Sequence, residues 1–295
     1  MLTMFENFTS RKISFGDYTV NLEMAGDGPG LLLLHGFPET KAAWHKIAPD
    51  LAKNKTVIIS DLPGYGNSTG PAPDKEHTNY SKRKVGNIMA RAMAELGFTS
   101  YAIAGHDRGA RVAYRMALDH SNVITHLAVL NILPTYEMVK HLNYDVAMMM
   151  ENWLFLSQPH PLPETLINAN PHFYLNHILD SWAAKASMIS TEARQEYLHY
   201  FKKPEVIETI CEEYRATNLD ASYDYEDSVN QNRIACPTLV LWSQQDELLD
   251  LLGNPVTVWK NWAENVTGAA LPGGHFLMEE SPTEVLEQFV NFFSA

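Results

Sequence analysis

The sequence predicts an α/β fold: a mostly parallel, twisted sheet flanked by helices and interrupted once by a helical insertion. Short apolar runs such as "GLLLLHG" and "SYAIAGHD" suit strands buried on both faces. Amphipathic stretches alternate with them, which is the rhythm of parallel strands joined by crossover helices. From Pro134 to about Asn232 that rhythm stops, and the text turns rich in Trp, Tyr, Met, His and Pro with no convincing strand.

Taken in order, Lys12 to Met24 reads as a two-stranded hairpin turning near Gly16-Asp17. The run "GLLLLHGFPE" is a buried strand ending in His-Gly, "KAAWHKIAPDLAKN" a helix, and "TVIISDLPGYGNS" a strand followed by a turn. A helix near Ser81 to Leu96, the strand "SYAIAGHD", a helix from Arg108 to Asp119 and the strand "HLAVLNILP" complete the first part. Helical periods appear in "EMVKHLNYDVAMMMENWLFL" and from Thr191 to Tyr200. Regularity resumes with the strand "CPTLVLWSQQD", a helix near Val256 to Ala263, a strand through "TGAALPGGHF" and a helix from Pro282 to Phe293. The expected division is a core of residues 1–133 and 233–295, with 134–232 as a helical cap lying over one edge of the sheet.

A chain of 295 residues, 45% hydrophobic, has ample material for one such unit. Its formal net charge of -13 argues against nucleic acid or an anionic membrane as partner, and requires local positive charge to capture an anionic ligand. Two cysteines write no disulfide framework, and the opening "MLTMFENFTS" has no signal-peptide character, so a cytoplasmic protein is expected. The 12 histidines lack metal-ligand spacing and "GPG" at 28–30 reads as a turn rather than a phosphate loop; neither metal nor cofactor is expected.

Chemistry concentrates at "AGHDRGARV". A strand that ends Gly-x-nucleophile-x-Gly and enters a helix forces its middle residue into a sharp turn. Gly105, His106, Asp107, Arg108 and Gly109 fit that arrangement. Asp107 alone is equally readable as a helix N-cap. Three features favour a nucleophile, the turn "DLPGYGNS" at 61–68 among them. "HGFPE" follows an apolar strand and can aim the backbone N–H of Phe37 at the elbow, to partner that of Arg108 as an oxyanion hole. "GGHF" brings His275 in after the last strand, as a base.

On "HGFPET", "GHDRGARVAYRMALDH", "LAVLNILPTYE", "NWLFLSQPHPLPE", "CEEYRA" and "GGHFLMEE", the chain resembles the α/β-hydrolase superfamily over nearly its whole length, and within it the haloacetate (fluoroacetate) dehalogenases. The resemblance implies that the Asp107 carboxylate displaces halide from a small anionic acid and that His275-activated water opens the resulting ester. It assigns Arg108 and Arg111, whose planar donor forks suit a carboxylate, to the substrate's acid group. Arg115 reads as a surface residue. A histidine, a tryptophan and a tyrosine receive the halide in the resembled family; the matching positions are Asn152, Trp153 and Tyr214, so the first is a departure. Tyr136 is expected beside the substrate. The resemblance also implies a homodimer.

A second departure concerns the acid that orients the histidine. The family's aspartate at the end of the sixth strand is here Asn131, which supplies no charge to an imidazolium. Asp246 ends the next strand region, where the wider fold keeps its acid, and is expected to take the role ahead of Glu247 and Asp250. Two other functions fit the same residues. An epoxide hydrolase would use the Asp107 ester chemistry with lid tyrosines drawn from Tyr136, Tyr144 and Tyr214, and a non-catalytic homologue would only bind ligand.

Overall fold

The computed structural model describes residues 4–294, leaving aside the Asp250 side chain. Eight strands form one sheet in the order β1-β2-β4-β3-β5-β6-β7-β8. They are β1 (Thr9–Phe15), β2 (Tyr18–Ala25), β3 (Gly30–Leu34), β4 (Thr56–Ser60), β5 (Tyr101–His106), β6 (Ile124–Leu130), β7 (Thr238–Ser243) and β8 (Val266–Leu271). β1, β2 and β4 pair antiparallel, and from β4 through β3 to β8 every neighbour is parallel. β3 and β5 are buried at every position, as their unbroken apolar runs require, because both faces are covered. Two apolar clusters fill the layers above and below them. This is an α/β-hydrolase fold.

On the core, α1 (Ala48–Leu51), α2 (Lys82–Glu95) and α3 (Asp107–Asp119) follow their strands. The stretch "KAAWHKIAPDLAKN" is not one helix. A 3₁₀ turn over Lys41–Trp44 precedes α1, and Pro49 sits in the first turn of α1, with no N–H to carry a helical ladder back to His45.

Between β6 and β7 the described chain forms eight helices and no strand of the sheet. These are α4 (Thr135–Lys140), α5 (Tyr144–Met149), α6 (Glu151–Leu156), α7 (Leu162–Ala169), α8 (Pro171–Trp182), α9 (Thr191–Phe201), α10 (Pro204–Arg215) and α11 (Thr217–Asn230). The helical period in "EMVKHLNYDVAMMMENWLFL" is broken twice. One break comes where the Asn143 side chain accepts the Val146 N–H at 3.1 Å and starts a new helix. After β7 come α12 (Glu247–Leu252), α13 (Pro255–Trp259), α14 (Leu277–Glu280) and α15 (Pro282–Phe293), so the helix expected to reach Ala263 stops at Trp259.

Arg115 corrects the surface assignment. It is 2% exposed and ion-paired to Asp119 at 3.2 Å, Asp224 at 3.6 Å and Asp227 at 2.5 Å, the last two carried by α11 of the insertion. The cation therefore bolts the insertion onto the elbow helix. No described helix is long and apolar enough to cross a membrane.

The elbow itself depends on close backbone approach. A Cβ at Gly109 would lie 2.3 Å from the His35 carbonyl oxygen and 2.5 Å from that of Leu34, both main-chain atoms that cannot step aside. Gly109→Ala is therefore expected to cost at least about 2 kcal/mol and to lower the melting temperature by several degrees in a circular-dichroism melt.

Candidate active site

β5 delivers Asp107 at φ +43°, a left-handed conformation that aspartate seldom adopts and that lifts its side chain off the strand end. The carboxylate is 5% exposed, and its Oδ2 accepts the Phe37 N–H at 3.0 Å. Burial by itself would raise the Asp107 pKa. The interaction with the His275 ring and the positive charges of Arg108, His106 and Arg111 outweigh it and hold the group below the usual carboxylate value. Asp107 is thus an anion in a nearly dry turn.

Its ionisation is supported from beneath. The His106 ring faces two acceptors, with Nδ1 2.9 Å from Glu39 Oε2 and Nε2 2.8 Å from the His275 carbonyl oxygen. Each ring nitrogen then donates, which is the imidazolium form. Burial works against that charge, yet Glu39 and Asp107 raise the His106 pKa overall.

His275 reaches the site on the loop between β8 and α14. Three backbone N–H groups, of Ala184 at 2.7 Å, Gly274 at 3.0 Å and Phe276 at 3.0 Å, converge on the buried Glu280 carboxylate. The His275 N–H donates to the Trp182 carbonyl at 2.8 Å, and its ring lies 5.0 Å from the Trp182 ring. Burial, with His106 and Arg111 nearby, pushes the imidazole pKa down to about 3, so the ring is neutral near pH 7.

Asn131, at φ +54°, holds the histidine's backbone rather than supplying a carboxylate. Its Nδ2 donates to the His275 carbonyl oxygen at 2.5 Å, while its Oδ1 accepts the Ser243 N–H at 2.7 Å. An aspartate could accept from Ser243 but could not donate to that carbonyl. Asp246 lines the same cavity as Asp107 and His275, and its Oδ1 accepts the Leu249 N–H at 3.0 Å to cap α12. Glu247 also lines the cavity near its mouth; the Asp250 side chain lies outside the described residues.

The two arginines have different surroundings. Arg111 lines the cavity, with Nη1 donating to the Leu133 carbonyl at 3.1 Å and Thr135 Oγ1 at 3.0 Å and its guanidinium 4.4 Å from the Trp153 ring. Arg108 is 1% exposed and is not a lining residue. Its Nε and Nη2 hold the side chain and carbonyl of Glu213, and its guanidinium lies 4.1 Å from the Tyr214 ring. Glu213 also accepts Lys82 Nζ at 2.7 Å and the Tyr65 hydroxyl at 2.5 Å. Despite burial, Lys82 and Arg108 hold the Glu213 pKa down at about 2.

Asn152 and Trp153 line the cavity; Tyr214 is fully buried against Trp153, with ring centroids 6.1 Å apart. The Tyr174 hydroxyl meets Asn152 Oδ1 at 2.8 Å, which leaves the amide's NH₂ as the end that can donate into the cavity. Tyr136 is not a lining residue; its ring packs on Tyr225 at 5.5 Å. Four buried polar atoms, Arg108 Nη1, Arg111 Nε, Tyr214 OH and His275 Nε2, have no protein hydrogen-bond partner. Other buried polar atoms without a partner occur elsewhere in the protein, Trp44 Nε1 and the Tyr101 hydroxyl among them; these four are set apart by lying on residues around Asp107. Among the described residues no cluster of His, Cys, Asp and Glu suited to a metal ion occurs.

Sequence reasoning assigned no role to Glu39, Glu213, Lys82, Trp182 or Glu280. Glu39, Glu213 and Glu280 lie inside quoted motifs, but the His106 ring, the Lys82 and Arg108 cations and the Ala184 N–H that they respectively hold come from remote segments. Trp182 carries no local signal.

Residues 29–282 match the α/β hydrolase fold family. The chain is 39% identical to a fluoroacetate dehalogenase of Burkholderia sp over 99% of its own length and 95% of that protein. It is 28% identical to a soluble epoxide hydrolase of Corynebacterium sp. (strain C12), covering 99% of both chains. The solved structure of ALR0039 from Nostoc sp PCC 7120 superposes with a TM-score of 0.95 at 42% identity, over 98% of this chain and 99% of that one.

A histidine whose folded pKa is depressed leaves the unfolded chain to take up the proton first. Stability is therefore expected to fall as pH drops from about 6.5 toward 3, with His275 contributing on the order of 1 kcal/mol per pH unit. His275→Gln should melt with a shallower acid dependence than the wild type between pH 7 and 5, measured side by side.

Proposed function

We propose that this chain, which belongs to the α/β-hydrolase family and is haloacetate dehalogenase-like, hydrolyses the carbon–halogen bond of small 2-haloacids. The observation that carries the reading is an ionised Asp107 that shares its cavity with the Arg111 guanidinium, whose Nε has no protein partner. An anionic substrate would satisfy Arg111, and a departing halide the donors of Asn152 and Trp153 that line the same cavity.

In this reading Asp107 Oδ2 rests on the Phe37 N–H while Oδ1 attacks C2 of the acid. The C–O bond forms as the C–X bond breaks, and its electron pair leaves with the halide toward the Asn152 amide, the Trp153 indole N–H and the Tyr214 hydroxyl. Arg111, the arginine that lines the cavity, would grip the acid group, while Arg108, tied to Glu213, keeps Asp107 ionised. His275 then takes a proton from water as its oxygen adds to the Asp107 ester carbonyl. The former Oδ2 becomes the oxyanion in the hole formed by the Phe37 and Arg108 amides; its collapse breaks the Cγ–Oδ1 bond, His275 returns its proton to the departing alkoxide oxygen to give the 2-hydroxy acid, and the Asp107 carboxyl, carrying the water oxygen, loses its remaining proton to solvent. Asp246 would balance the imidazolium formed in this step, and Asn131 keeps the histidine's backbone in register. Residues 134–232 act as the cap that closes the reaction from water.

The arrangement of tyrosines favours this reading over epoxide opening. Activating an epoxide oxygen calls for two hydroxyls at one point, whereas Tyr136 stands off the cavity and Tyr144 is 77% exposed.

Incubating His275→Asn with bromoacetate is expected to leave one carboxymethyl group on the peptide that contains Asp107, detected by mass spectrometry. Adducts found only on Cys211, Cys236 or a histidine would overturn the ester step. Arg111→Ala is expected to reduce kcat/KM for chloroacetate by roughly 10- to 150-fold, the loss of a hydrogen-bonded charge contact, read from halide release.

A further inference from the structure

The cavity that contains Asp107 is larger than a haloacetate needs. Its volume is about 330 Å³. The five non-hydrogen atoms of a monohaloacetate occupy on the order of 100–150 Å³, counting each as no larger than a water. The remaining space has a definite chemistry. Starting directly after Asn131, Ile132 and Leu133 line it, joined by Met138 from α4, Met150 beside α5 and Leu249 from α12; all five side chains are at most 4% exposed. This apolar wall adjoins the arginine assigned to the acid group, because the Leu133 carbonyl is itself bonded to Arg111 Nη1. Two of the five are methionines, unbranched and adaptable, and a third, Met149, continues the wall to the mouth. Two carboxylates, Asp246 and Glu247, line the same cavity and oppose a second negative charge on the ligand.

We infer that the preferred substrates are 2-haloacids bearing an uncharged apolar substituent on C2, an alkyl chain of about four carbons or a phenyl ring, which lies on the wall formed by Ile132, Leu133, Met138, Met150 and Leu249. The inference rests on the dehalogenase reading for the reaction, while the binding surface it names is testable without turnover. Haloacetate fills only the Asp107–Arg111 end. A C2 substituent points away from the in-line axis of displacement, so its burial adds binding without altering which bonds form and break.

The test is calorimetric titration of the wild-type protein with halogen-free acids. Affinity is expected to rise from acetate to butanoate to hexanoate by roughly three- to fourfold per methylene, as full burial of a CH₂ predicts, with phenylacetate close to hexanoate. Adipate, which carries a second carboxylate on the same chain, should bind at least tenfold more weakly than hexanoate. Affinity that is flat or declining with chain length, or adipate equal to hexanoate, overturns the inference. In parallel, 2-bromohexanoate should show a KM at least tenfold below that of bromoacetate; an equal or higher KM also counts against it. Length-dependent binding with no bromide released from either compound would sink the dehalogenase reading and leave the apolar wall standing.

Discussion

The structure turns on keeping one carboxylate charged where water is scarce. Asp107 sits in a left-handed turn at the end of a fully buried strand, a place where a lone carboxyl would take up a proton. The protein answers with cations whose own charges are balanced outward in a second ring. Arg108 is paired with Glu213, Glu213 with Lys82, and His106 with Glu39. Breaking any pair strands a buried charge, which costs far more than the pair itself contributes. The network spans the core and the insertion, since Glu213 lies on α10 and Lys82 on α2. Electrostatics of the elbow and docking of the helical layer are thus one problem with one solution.

Much of this was legible in the sequence, for reasons that differ by residue. Strands such as β3 and β5 were plain because both faces are buried and leave no polar residue to blur the pattern. The turn at Asp107 could be read because glycines bracket it, Gly105 required by the backbone of Gly109 and Ala110 a few residues on, and Gly109 by the main chain of β3. The Pro49 break was also written in the chain, yet the amphipathic period around it dominates the eye. Arg115 shows the opposite limit. Its place on α3 is local information, but its burial comes from Asp224 and Asp227, more than a hundred residues later. No window of sequence carries that.

The two departures from the resembled family also differ in kind. Asn131 keeps the geometry of its position while changing the task, because an amide both donates and accepts and so ties β6, β7 and the histidine loop together at the backbone. Asn152 keeps a donor but gives up a titratable one, so whatever it contributes to a leaving halide is the same at every pH. The Tyr174 hydroxyl sets which end of that amide faces inward, a partnership formed within the helical layer alone.

Glu280 gathers N–H groups from the histidine loop and from Ala184, just beyond α8, and the His275 N–H is itself received by Trp182. The base is therefore mounted partly on the roof of its own chamber. A roof that swung away as a rigid plate would tear out those bonds and drag the imidazole off its line to the elbow. The exposed residues that line the chamber come from both layers as well, Met149 and Ser181 from the helical insertion and Gln245 and Glu247 from the core, so the seam that mounts the base also frames the chamber's outer face.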